Sequence, residues 1–84
     1  MSQFKALAFI RCPEDRSELT VADTALLDRI NNAIRGGRLR NRSGRTLDEM
    51  LDGALLRIDR EAFYPVIHGI PLLLQDEAVD LDQL

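Results

Sequence analysis

Cys12 and His68 are the only cysteine and the only histidine in the chain, so thiol or imidazole chemistry would have to run through one or both of them. A nucleophile needs a base to activate it and a third group to orient that base. Around Cys12 the sequence reads Ile10-Arg11-Cys12-Pro13-Glu14-Asp15, which carries neither a nucleophile elbow nor a cysteine-protease signature. A single cysteine behind an apolar stretch is the composition of a small buried hydrophobe. His68 precedes Gly69 and suits a turn better than a general base. Gly36-Gly37 has no further glycines and no lysine of a phosphate-binding loop, so it reads as a helix stop. The 14 carboxylates are scattered and form no paired-acid arrangement. The chain is expected not to be an enzyme, and no catalytic residue is assigned.

Metal chemistry is the next possibility. Cys12-Pro13-Glu14-Asp15 has the shape of a Cys-Pro-x-Cys zinc knuckle in which Asp15 takes the second thiolate position. Structural zinc is held by four ligands, usually thiolate and imidazole, in two pairs. Beyond Ala54, where a second pair would be expected, the chain reads Leu55-Leu56-Arg57-Ile58-Asp59-Arg60-Glu61 without a cysteine. Cys12, Asp15, Asp59 and His68 would make an uncommon mixed site, and Arg57 would repel the cation. No metal and no other cofactor is expected.

The net charge of −3 predicts no bulk attraction to nucleic acid or to an anionic membrane, but its distribution is uneven. Arg35, Arg38, Arg40, Arg42 and Arg45 follow one another without an intervening acid, while Asp76, Glu77, Asp80 and Asp82 lie in a tail without a base. Two such patches on one small domain are expected to neutralise each other. The alternative is a nucleic-acid face made of Arg38, Arg40 and Arg42. Against it stands the lack of aromatic rings interleaved with those arginines.

The elements that would position these groups follow from periodicity. A chain of 84 residues, 45% of them apolar, holds one core and one domain, residues 1–84. Phe4, Leu7 and Ile10 suit a short N-terminal amphipathic helix ending before Pro13, and too few apolar residues surround them for a signal peptide or a membrane span. With no other targeting signal and one cysteine, a cytoplasmic location is expected. Residues 17–22 predict a short strand with Leu19 and Val21 inward. Asp23 or Thr24 caps a helix whose apolar stripe is Leu26, Leu27, Ile30, Ala33 and Ile34, with Asp28, Arg29, Asn31 and Asn32 outward. Arg38 to Arg42 reads as an exposed strand with its three arginines on one face, followed by a turn at Ser43-Gly44. Thr46-Leu47-Asp48-Glu49 has the capping-box pattern of a short helical turn through Leu51, with an irregular strand as the competing reading. Residues 54–59, 63–67 and 70–74 read as strands, the last two separated by His68-Gly69. The expected architecture is α+β, with a three- or four-stranded antiparallel sheet. Pro65 and Pro71 place proline inside extended runs, which favours strand ends or sheet edges.

One stretch is more specific than the rest: Tyr64-Pro65-Val66-Ile67-His68-Gly69-Ile70-Pro71-Leu72-Leu73-Leu74, then Asp76-Glu77-Ala78. With the Cys12-Pro13 element behind an N-terminal apolar helix, it resembles the family of small tRNA-methyltransferase activator subunits (Trm-one-one-two-like), which includes bacterial YcaR-like proteins. The similarity covers residues 4–19 and 54–78, and residues 23–51 look like the variable helical insertion of some members. The resemblance implies a small zinc-ribbon-like antiparallel sheet acting as the stabilising partner of an S-adenosylmethionine-dependent methyltransferase. In zinc-bearing relatives the metal sits between two cysteine pairs. Here only Cys12 remains, with Asp15 and Arg57 standing where cysteines would be expected, so the expected form is a variant without zinc. Ile67, His68, Gly69, Ile70 and Pro71 are the candidate partner-binding residues, and nucleic acid would be touched only weakly or through the partner.

Overall fold

The computed structural model describes residues 18–84, so the expected N-terminal helix and the Cys12-to-Asp15 knuckle lie outside the described residues. The order is β1 (Leu19–Val21), α1 (Thr24–Arg35), β2 (Gly53–Arg57), β3 (Ala62–Ile67), β4 (Ile70–Pro71) and β5 (Val79–Asp80). Single 3-10 turns at Gln75–Glu77 and Leu81–Gln83 flank β5. The architecture is α+β: one helix and a curled, five-stranded antiparallel sheet in the order β1-β2-β3-β4, with β5 also paired to β3.

Helix α1 forms as its pattern predicts. The Asp23 carboxylate accepts from the Leu26 amide at 2.8 Å, satisfying one of the N–H groups that a helix start leaves without a partner. At the other end the Arg38 amide donates to the Ala33 carbonyl and the Gly37 amide to the Ile34 carbonyl, with Gly37 at φ +67°. That left-handed residue is open to glycine without a Cβ penalty, and it turns the chain sharply off the helix. Ile30, Ala33 and Ile34 are buried, while Leu26 and Leu27 pack half-buried at the margin.

Alternation sorts the sheet into two faces. Ala54, Leu56, Phe63 and Val79 join Ile30, Ala33 and Ile34 of the helix, together with Leu39 and Leu51, in one core cluster. Leu19, Leu55, Tyr64, Val66 and Ala78 form a second cluster, against which Leu73 packs. Residues 23–51 contribute half of the larger core.

Several expectations are corrected. Val21 points outward, because its neighbour Ala22 takes the buried position. Residues 46–51 form no helical turn, since the polar side of Asn31 captures their backbone: Leu51 N–H donates to Asn31 Oδ1 at 2.9 Å, and Asn31 Nδ2 donates to the Leu51 carbonyl at 3.2 Å. Asn31 thus does not simply face solvent. Residues 38–42 form no strand, only a single bridge from Arg40 to Thr46 within an irregular ribbon. The inside–outside alternation survives there, with Leu39 and Asn41 buried between exposed arginines. The strand expected over 70–74 is two residues long, and the tail returns to add β5.

Pro65 lies in the middle of β3, between β2 on one flank and β4 and β5 on the other, rather than at an edge. Its carbonyl accepts from Leu72 N–H at 2.9 Å, so its ring nitrogen faces the same flank. The paired registers of β4 and β5 end at Val66 and Phe63, and at Pro65 that flank uses only the carbonyl, so the missing N–H is tolerated.

Candidate functional site

Residues 45–51 run past the β3–β4 hairpin without pairing to it, and the two walls enclose a slot of about 330 Å³. Its floor and walls are apolar: Leu47, Leu51, Pro65, Ile67, Ile70 and Leu72. The rim is polar, with Arg45, Thr46, Asp48, Glu49 and His68, and Asn41 and Glu77 towards the tail. A concave, largely apolar volume of this size with a few polar groups is the usual form of a binding site.

The slot is held open by polar contacts at both ends. At the hairpin tip Gly69 N–H donates to Asp52 Oδ2 at 2.7 Å, and His68 Nε2 lies 3.0 Å from Glu49 Oε2. At the tail end Asn41 Nδ2 donates to Glu77 Oε1 at 3.2 Å. Asn41 is buried, and its Oδ1 accepts from Ser43 N–H, Ser43 Oγ and Arg45 N–H. One side chain therefore shapes the 41–45 turn and anchors a wall of the slot.

The candidate partner-binding residues divide accordingly. Ile67, His68 and Ile70 line the slot, while Gly69 and Pro71 belong to the same hairpin but not to the slot's lining. His68 and Gly69 have φ of +53° and +74°, the paired left-handed conformation of a two-residue hairpin whose twist matches its strands. Ile70 is 58% exposed, so it is an available surface and not core. Asn31, Asn41 and Asp52 position the slot although sequence reading singled out none of them. Their signal was polar residues inside apolar or turn segments, which their side-chain bonds to backbone explain.

Arg38, Arg40 and Arg42 do not converge. Arg38 stands with Arg29, Asn32 and Leu84 around a separate hollow. Arg40 is tied through its backbone, its N–H donating to Gln83 Oε1 and its carbonyl accepting from Gln83 Nε2, both at 2.9 Å. Arg42 pairs with Asp80 at 3.0 Å. The Arg42 amide donates to the Ala78 carbonyl and the Ser43 amide to that of Asp76, so the acidic tail packs directly on the arginine ribbon.

The conceivable metal ligands Asp59 and His68 sit in the turns at opposite ends of β3, separated by roughly 20 Å for a strand of that length. Asp59 is engaged by Arg57 at 2.8 Å and accepts from Glu61 N–H. Among the described residues no three His, Cys, Asp or Glu side chains gather to hold a metal ion. Among them, too, no helix is long and apolar enough to cross a membrane.

No protein-family model and no curated protein matches the chain. Among solved structures it is similar to the solution NMR structure of XF2673 from Xylella fastidiosa, with 28% identity and a TM-score of 0.76. That match spans 96% of this chain and 84% of the other, and the similarity is one of fold.

Proposed function

We propose that this chain is a non-catalytic interaction module that docks a protein partner in the slot between residues 45–51 and the β3–β4 hairpin. The observation that carries the reading is the slot itself, apolar inside and fastened at both ends. A site already shaped before binding spares the partner the entropy of ordering it. The resemblance carried by the Tyr64-to-Leu74 run names the partner class, an S-adenosylmethionine-dependent methyltransferase, with this chain as its stabilising subunit. On the same reading the sheet is a zinc-ribbon-like one that does without the metal.

The test is affinity capture from the native cell with wild-type and Ile70→Asp baits, followed by mass spectrometry. Ile70 is largely exposed, so the variant is expected to keep its circular dichroism and melting temperature. A methyltransferase recovered by the wild type and lost by the variant is the expected result. Equal recovery by both, or no methyltransferase with either, overturns the proposal.

A further inference from the structure

Resting on the reading of the slot as a docking site, we infer that its occupant is a partner segment in which aliphatic side chains alternate with lysine or arginine. Three features of the slot select that chemistry.

The first is charge. Asp48, Glu49 and Glu77 line the slot against a single guanidinium, that of Arg45, so carboxylates outnumber guanidinium groups three to one. Two of the carboxylates are held in place, Glu49 beside His68 and Glu77 by Asn41. A cation reaching the rim meets acids whose positions are already fixed by these contacts. The hollow beside Arg42, Arg57 and Arg60 lacks this bias, since Glu61, Asp80 and Asp82 balance its three arginines.

The second is the apolar interior. Leu51, Ile67 and Leu72 offer walls of aliphatic side chains, with no phenylalanine, tyrosine or tryptophan among the residues lining the slot. A leucine, isoleucine or valine side chain between them removes apolar surface from water on both partners. A lysine or arginine beside it points the other way along an extended segment, but its long flexible stem lets the charged head fold back to the acidic rim.

The third is the edge of β4, which excludes the simplest competing mode. In the antiparallel register Ile70 faces Ile67 and Pro71 faces Val66, while Leu72 N–H bonds the Pro65 carbonyl. Bonded and unbonded pairs alternate, so the backbone of Pro71 points away from β3, where a pairing strand would meet it. Proline has no N–H to offer there, and β4 is only two residues long. The edge is blunted against strand addition, and recognition falls to side chains entering the slot.

The probes are terminally blocked hexapeptides titrated into the full chain and followed by methyl chemical shifts. One alternates leucine with lysine, a second replaces lysine with glutamate, and a third replaces leucine with alanine. The leucine–lysine peptide is expected to shift Leu51, Ile67 and Leu72 and to bind at least tenfold more tightly than either control. Raising salt from 50 to 500 mM should weaken it several-fold, because exposed charges are screened. The Asp48→Asn, Glu49→Gln double variant should lose most of the preference for lysine over glutamate. Equal binding of the lysine and glutamate peptides, or no binding by any of the three at millimolar concentration, overturns the inference. A methyltransferase that is lost with Ile70→Asp yet retained fully by the double variant also overturns it, and leaves the docking function standing.

Discussion

Replacing Asn41 with alanine tests whether one buried amide really holds the wall of the slot. The side chain is 9% exposed, and its Oδ1 takes bonds from Ser43 N–H at 3.1 Å, Ser43 Oγ at 2.6 Å and Arg45 N–H at 3.0 Å. Its Nδ2 reaches Glu77 at 3.2 Å. The Ser43 amide also bonds the Asp76 carbonyl, and the Ser43 hydroxyl can turn to water, so those losses are small. The Arg45 amide and the Glu77 contact are the larger ones, at about 1 kcal/mol each for a typical net hydrogen bond. The expected cost is therefore about 2 kcal/mol, or a melting temperature lower by about 8–16 °C in a domain of this size. Urea unfolding followed by circular dichroism measures it directly. Asn41→Asp supplies the second arm: it keeps the three acceptor contacts but sets a carboxylate against Glu77. Its cost should be relieved by Glu77→Gln, giving a coupling of about 1 kcal/mol in a double-mutant cycle. Stability within ~0.5 kcal/mol of wild type for Asn41→Ala, an effect too small for two lost bonds, would refute the reasoning.

Other outcomes follow from the same geometry. His68→Gly should raise the melting temperature by a few degrees, since glycine adopts φ near +53° without a Cβ penalty and the lost contact to Glu49 is solvent-exposed. A fall instead would show that this contact outweighs the backbone term. Elemental analysis of the purified protein should find no stoichiometric zinc, and a chelator should leave the melting temperature unchanged; one zinc per chain lost together with the fold contradicts this. The isolated chain should bind RNA only weakly and with steep salt dependence, because Arg38, Arg40 and Arg42 are dispersed and Arg42 is paired with Asp80. Nanomolar binding at physiological salt, abolished by changing the three arginines to glutamate, would show the opposite.

What could be read from the sequence was the part governed by local rules. Asp23, the Leu26-to-Ile34 stripe and Gly36-Gly37 specify α1 through capping, periodicity and a left-handed stop, all within a few residues of one another. His68-Gly69 marks a hairpin for the same reason. The misreadings fall where distant contacts decide. Thr46-Leu47-Asp48-Glu49 has the letters of a capping box, but the Asn31 side chain, 20 residues away, takes the backbone of Leu51 into another arrangement. Leu39 and Asn41 alternate with arginines as a strand would, yet no neighbouring strand completes a ladder, and a single bridge is all that forms. Pro65 looks like an edge marker until the partition of β3's flank between β4 and β5 is known. The apolar half of the slot, Ile67, Ile70 and Leu72, was visible in the Tyr64-to-Leu74 run. Its acidic half comes from residues 48, 49 and 77, which only the folded chain brings together.

The clasp between the arginine ribbon and the tail also bears on the order in which the molecule assembles. The β2–β3 hairpin closes over the four residues 58–61, whereas the contacts from Arg40, Asn41 and Arg42 to the tail span 36 to 43 residues. Closing a loop of that length costs chain entropy before any contact returns it, so the hairpin forms first and the ribbon latches late. Undocking the tail frees the amides of Arg40 and Arg42 in one event, and it withdraws Glu77 from the slot at the same moment. In native-state hydrogen exchange these two amides should share a single opening free energy below that of the β2–β3 ladder. Ligand captured in the slot would slow their exchange together, coupling occupancy at one end of the fold to the lifetime of the C-terminal latch.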